Sequence, residues 1–541
     1  MQIELGIQND ISLQFNCDDD NFKGSINLHA KISNNGSVFE GDGTLPNGKW
    51  IRWSGIKTTK TDEKKEPTTL KLDTTFIAKT WFPNLAYGYD SIPEVRTVVF
   101  KNATVWTNEK EGIIKDATVI TENGKIKSVS TNSTATPTKA IIIDSKGKHL
   151  TAGIIDEHSH IAISKGVNEG GQAISAEVNI SNVVTADDIN IYRQLAGGVT
   201  AAQLLHGSAN PIGGQSALIK LKWGHTPEEM LIPNAPKFIK CALGENVKQA
   251  NWGDFNTVRF PQTRMGVEQV FYDGFARARA YKEEWDNFSK NPKKAVGTTR
   301  KDLELDVLVE ILESKRFITC HSYVQSEINM LMHVADSMDF KINTFTHILE
   351  GYKVADKMKT HGVGGSTFAD WWAYKFEVND AIPYNAKMMA DQGVVVAINS
   401  DDAEMGRRLN QEAAKSVKYG GMSEEEAWKM VTLNPAKLLH LDDRMGSVKV
   451  GKDADIVLWS DNPLSIKAKV ELTMIDGKIL YESENAKTLE DRNTTERARI
   501  INKMLESNEK GEPSKPFVKK GRKHYHCDTL GEEGTEEENL H

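Results

Sequence analysis

Between residues 153 and 439 short apolar runs alternate with helical patterns, and this alternation constrains the fold more than any other feature of the chain. Strand candidates are "LTAGIIDEH", "GVTAAQLL", "KFIKCAL", "RFITCHS", "INTFTHI", "VGGSTF" and "GVVVAINSD". Helical patterns lie between them, in "GVEQVFYDGFARARAYKEEW", "KDLELDVLVEILES", "SEINMLMHVADSM" and "NAKMMADQG". About 290 residues of repeated strand and helix predict an α/β fold with a parallel sheet, at the length of a closed (β/α)8 TIM-type barrel. The other arrangement of such units is an open doubly wound sheet. Its dinucleotide-binding form carries G-x-G-x-x-G after the first strand, which this sequence does not.

The flanks read differently. β-branched runs punctuated by turn signals fill 96–152 and return at 440–485, which predicts one β-sandwich domain built from both sides of the barrel, 153–439. Residues 1–95 alternate apolar and polar side chains in short runs, the pattern of a β-rich N-terminal lobe, with a charged loop at 57–67 and a strand at 69–78. Residues 486–541 are a polar tail, expected to hold a surface helix and then disorder. Ser423 and Glu426 have the spacing of a capping box.

The totals narrow the function. A net charge of −8 over 541 residues argues against a nucleic-acid partner, which calls for a basic face. No apolar run is long enough to span a membrane. The four cysteines, Cys17, Cys241, Cys320 and Cys527, form no CxxC pair, so a thiolate zinc site is not expected. The first residues, "MQIELGIQNDISLQF", lack a basic segment followed by an apolar one. As written the chain reads as cytoplasmic, and as exported if an upstream portion is missing; the compartment stays unknown.

The stretch "GIIDEHSHIAI" runs an apolar strand into His158 and His160. Residues two apart on a strand share a face, and barrel active sites sit at strand C-termini, so the two imidazoles form a metal bite. The spacing alone is weak: "HYHC" at 524–527 repeats it in a charged tail with no strand before it. Context decides, because His321, His347 and Asp401 each end a later apolar run. Four histidines and an aspartate at strand ends point to a divalent metal centre. Asp156 shares the face of His158, either to orient a ligand or as a buried strand-end cap.

"TAGIIDEHSH", "CHSY", "THILEGYKVA", "INSDD" and "NPAKLLHLDDRMGSVKVGKDADIVLW" together resemble the amidohydrolase superfamily, in its imidazolonepropionase-related branch, over about residues 97–485. The resemblance implies a barrel with a flanking β-sandwich and one or two divalent metals, usually zinc, with manganese and iron as alternatives. It implies that His158, His160, His321 and His347 bind metal and that Asp401 both binds metal and acts as general base. Two-metal relatives need a bridging carboxylate, a carboxylated lysine or a glutamate. "KFIKCALGENVK" offers Lys240 and Glu245, with Glu245 the preferred reading. His206, Gln215, Arg264 and Tyr323 are candidate substrate contacts, each weighed against a structural role. The expected activity is hydrolysis of a C–N bond in an amide, cyclic amide or dipeptide-like small molecule. A ring deaminase and a non-catalytic binding protein are the alternatives, and a homo-oligomer is allowed.

Overall fold

The computed structural model describes residues 2–5, 10–18, 23–32, 38–56, 79–132, 135–164, 166–250, 252, 259–291, 300–371 and 375–511. The charged loop expected at 57–67, the strand at 69–78 and the "HYHC" stretch lie outside them. The chain divides into one unit of residues 1–78 with 490–519 and another of 79–489 with 520–541.

The first unit is a five-stranded antiparallel meander in sequential order: Gln2–Leu5, Asp10–Cys17, Gly24–Ile32, Val38–Thr44 and Trp50–Ile56. Alternation carries the strand Gly24–Ile32, where Ile26, Leu28 and Ala30 are buried and the residues between them are not. On the helix Ser483–Glu509, Arg497 reaches Glu40 at 2.6 Å.

The second unit is mixed α/β. An eight-stranded sheet takes Val98–Trp106, Ile113–Glu122, Lys125–Ser130, Ile141–Asp144 and His149–Ala152 from before the central region. It takes Ile456–Trp459, Val470–Ile475 and Lys478–Glu482 from after it. The two contributions meet where His149–Ala152 pairs antiparallel with Ile456–Trp459. Val98, Phe100, Val119, Leu150, Ile456 and Leu472 form its dry core.

In the central region Ile154–Ser159 runs parallel to Val199–Leu204, and Ala217–Lys220 pairs antiparallel to the latter. A second sheet places Lys237–Ala242, Arg316–Ser322, Thr344–His347, Gly364–Thr367 and Val396–Ile398 side by side and parallel, with Ile212–Gln215 antiparallel at its edge. Ile154–Ser159 and Val199–Leu204 are buried along their whole length, as strands covered on both faces must be. Helices Arg264–Lys290, Leu303–Leu312, Gln325–Ser337 and Asn385–Asp391 match the helical patterns in the sequence. Among the described residues no helix is long and apolar enough to cross a membrane.

Two caps differ from expectation. Ser423 accepts from Glu426 N at 3.2 Å, but the Glu426 carboxylate turns to Lys429 at 2.6 Å, so no reciprocal bond closes the capping box. A complete capping box forms instead at Thr226 and Glu229, where both bonds are present.

Candidate metal centre

Each strand end delivers one piece of a buried polar cluster. His158 and His160 bring their Nε2 atoms within 3.2 Å, and both face Asp401 Oδ1 at 3.1 Å. Asp401 Oδ2 lies 3.9 Å from His347 Nε2. The His321 and His347 rings are 4.3 Å apart, centroid to centroid. His158, His347 and Asp401 present ligand atoms that all lie within 4.8 Å of one another. Lys240 Nζ sits 3.2 Å from His158 Nε2.

These atoms fit a divalent cation. His160 Nδ1 lies 3.0 Å from the Leu205 carbonyl, which can only accept, so that nitrogen carries the proton and Nε2 is a lone pair in the neutral ring. His158 is held neutral, its pKa pushed down to about 3 by burial and then by the Lys240 charge. Acceptor atoms therefore converge at 3.1–3.2 Å. That is close to the edge of a ligand tetrahedron around an ion bound at about 2.0–2.1 Å. Burial pushes His321 and His347 well below the usual imidazole range, and the Lys375 and Lys240 charges add to it. Neutral imidazoles are the form a metal binds.

Long-range partners orient the imidazoles. Thr346 Oγ1 meets His158 Nδ1 at 2.8 Å, and Ser208 Oγ meets His321 Nδ1 at 2.9 Å. Asp156 clamps two strand ends together: Ser400 donates to it from Oγ at 2.5 Å and from N at 3.1 Å, and His158 N lies 3.4 Å from it. Burial raises the Asp156 carboxyl to about 7 against those bonds. Ser400→Ala is expected to cost about 1–3 kcal/mol of stability, read by urea denaturation, with the metal content of the parent retained. Unchanged stability would show that the clamp is not needed.

The structure separates the other candidates. Of Lys240 and Glu245, Lys240 joins the cluster. Glu245 lies past the bend at Gly244 (φ +88°), and its backbone N donates to Glu377 Oε2 at 3.0 Å. His206 is buried, accepting from Glu169 N at 2.8 Å and donating to Gly207 O at 2.9 Å. Gln215 donates to Ala176 O at 3.0 Å, so both residues brace the loop before helix Ile189–Leu195. Arg264, half-exposed, pairs with Glu327 on another helix. Tyr323 is buried against the centre, its ring 4.5 Å from that of His321 and 5.3 Å from that of His347. Ser208, Thr346, Ser400 and Lys375 were not singled out in the sequence. No local pattern marks them; only Thr346 and Ser400, each one residue before a candidate ligand, carried a hint.

The sequence profile of the amidohydrolase family matches residues 332–480. The crystal structure of an amidohydrolase from Thermotoga maritima MSB8 is 30% identical, covering 71% of this chain and 100% of that one, with a TM-score of 0.65. Amidohydrolase tasK of Hapsidospora irregularis is 30% identical over 431 residues, 72% of this chain, which spans 43% of the length of that protein. The imidazolonepropionase of Thermoplasma volcanium is 23% identical over 369 residues, 64% of this chain and 84% of its own. By these likenesses, and by the residues gathered at its strand ends, the chain belongs to the amidohydrolase family, in the branch related to imidazolonepropionase.

Proposed function

We propose that the protein is a metal-dependent hydrolase that cleaves a C–N bond of an amide, cyclic amide or dipeptide-like substrate. The observation that carries this reading is the convergence of His158 Nε2, His160 Nε2 and Asp401 Oδ1 at 3.1–3.2 Å. His158, His160, His321, His347 and Asp401 are the ligands in this reading, with zinc the ion their donor set suits best. Lys240, once its neutral Nζ adds carbon dioxide and loses a proton to form a carbamate, would supply the carboxylate for a second ion in place of Glu245. The two central sheets are arcs of one (β/α)8 barrel at 153–439. Supporting this, Asp401 N donates to His158 O at 3.0 Å, linking the ends of the last and first strands. The lobe at 1–95, the composite β-sandwich of 96–152 and 440–485 and the polar tail of 486–541 are the remaining domains in this reading.

When bound, the ion supplies an acidified water and polarises the substrate carbonyl. Asp401 takes the proton as the water oxygen bonds to the carbonyl carbon. It returns the proton to the leaving nitrogen as the C–N bond breaks, giving an acid and an amine. His158 and His160 would hold the ion through Nε2, His160 turned that way because its Nδ1 donates to Leu205 O. Tyr323 forms a wall of the substrate site; His206, Gln215 and Arg264 act in support of it. A ring deaminase is less well served, because Glu327, the nearest carboxylate after His321 in sequence, is held by Arg264.

Metal analysis tests the centre. The reconstituted chain is expected to hold about two equivalents and Lys240→Met about one, with Glu245→Gln unchanged. Equal metal in all three removes the bridging role of Lys240, and less than about a tenth of an equivalent in the parent removes the hydrolase reading in favour of a binding protein.

A further inference from the structure

Two loops that follow the first two strands of the central region are laced together. Gly207 N donates to Val167 O at 2.7 Å and Ala209 N to Asn168 Oδ1 at 3.1 Å. Asn210 Nδ2 donates to Glu169 O and to Gln172 O, each at 2.7 Å. The loop 205–211 carries Ser208, whose Oγ lies 2.9 Å from His321 Nδ1. These bonds hold the two loops to each other, and Arg259 ties both to a third segment. Its guanidinium donates to Gln172 O at 2.9 Å and to Ala209 O at 2.8 Å, one residue beyond Ser208. Its own carbonyl accepts from Gln262 Nε2 at 2.8 Å, just before helix Arg264–Lys290.

The surroundings of Arg259 are costly for a charge. The guanidinium lies 5.3 Å from the centroid of the buried Trp252 ring. Burial pushes its pKa down to about 10, and among the described residues no carboxylate pairs with it to pull it back up. Taking a charge out of water without an ion partner is unfavourable, and a neutral donor would avoid that cost. What a neutral side chain lacks is the geometry. The guanidinium is a rigid planar fork, and its two terminal nitrogens set the spacing between carbonyls of two different loops. Bonds from a charged donor are also the stronger kind, so the spacing is held stiffly.

We infer that Arg259 is a positioning residue of the metal centre: by fixing the loop 205–211 it sets the Ser208 hydroxyl against His321, and so the direction in which that imidazole faces. The inference rests on the metal-dependent hydrolase reading for the ion that His321 would hold, but not for the orientation of the ring.

The test follows the ring nitrogens of His321 by NMR in the metal-free full chain with isotope-labelled histidine, the signals assigned by their loss in His321→Gln. Ser208→Ala is expected to shift them, Arg259→Met to shift the same signals, and the double variant to match Ser208→Ala alone. Arg259→Lys keeps the charge and loses the fork, so it should shift them too, and it carries the test if Arg259→Met loses the circular dichroism spectrum of the parent. Competition with a zinc chelator gives a second readout. Ser208→Ala and Arg259→Met should each weaken zinc binding about tenfold, and the double variant no more than Ser208→Ala, because the two act along one path. His321 signals that ignore Ser208→Ala or both Arg259 variants overturn the inference, as do losses in zinc affinity that multiply in the double variant. A parent that holds no zinc, with Arg259 variants that still move the His321 signals, sinks the hydrolase reading and leaves the positioning role standing. Tight zinc binding with unmoved His321 signals does the reverse.

Discussion

Asp401→Asn is expected to lower kcat by about 10³-fold while the metal content stays at the level of the parent. The side chains match in size, and the amide oxygen can still face His158 and His160 from the Oδ1 position, 3.1 Å from each Nε2. What the amide lacks is basicity: it cannot take the proton of the attacking water or return it to the leaving nitrogen. The backbone favours a clean substitution, because Asp401 sits at φ +50° with its N–H held by His158 O, and asparagine accepts that left-handed conformation as readily as aspartate. Metal analysis alongside steady-state rates separates the two roles. Full activity in a metal-replete variant would take the base function away from Asp401, and loss of metal together with activity would leave it only a ligand.

Lys220→Met is expected to destabilise the fold by about 3–5 kcal/mol, read as a lower denaturation midpoint in urea. Lys220 is buried with its Nζ 2.8 Å from Asp453, 2.9 Å from Asp455 and 2.5 Å from Asp476. Those three carboxylates have the spacing of a cation site, and the lysine is the cation that fills it. Methionine fills similar volume but leaves Asp453 and Asp455, both buried, without their shared counter-charge. Burial works to raise the Asp453 and Asp476 carboxyls, and Lys220, together with Lys125 beside Asp453 and Lys222 beside Asp476, more than offsets it, so both are held below the ordinary carboxylate range. A depressed folded-state pKa means that this stabilisation is present above about pH 4 and is lost as the pH falls through the folded-state values. Acid sensitivity in that window should therefore shrink in Lys220→Met. The double variant Lys220→Met with Asp455→Asn should regain part of the loss, and a single variant as stable as the parent would show that the network is dispensable.

The ligand candidates were legible because the information is local. An apolar run predicts a strand, its last residues lie at the sheet's C-terminal end, and His158, His160, His321, His347 and Asp401 all fall there. The composite sheet was legible for a related reason: the two β segments differ in pattern from the alternating region they bracket. The Ser423 box shows the limit of even a local rule. Glu426 had two partners in reach, the Ser423 backbone N–H and the Lys429 ammonium, and the charged one won.

By itself the sequence determined which strand ends carry imidazoles and carboxylates, and so the kind of chemistry the chain can host. Tertiary structure decided which of Lys240 and Glu245 reaches the cluster. The two are five residues apart, and the left-handed turn at Gly244 carries Glu245 out of the strand's register toward Glu377. It also decided the partners of the imidazoles. Thr346 is 188 residues from His158 in the chain and Ser208 is 113 from His321, so no window of sequence contains either pair. Lys375 belongs with them: a lysine in a loop carries no sign of its neighbours until folding sets it over Tyr323. Strand placement follows from periodicity along the chain, whereas contact between loops depends on how the strands are arranged in space, which periodicity does not encode.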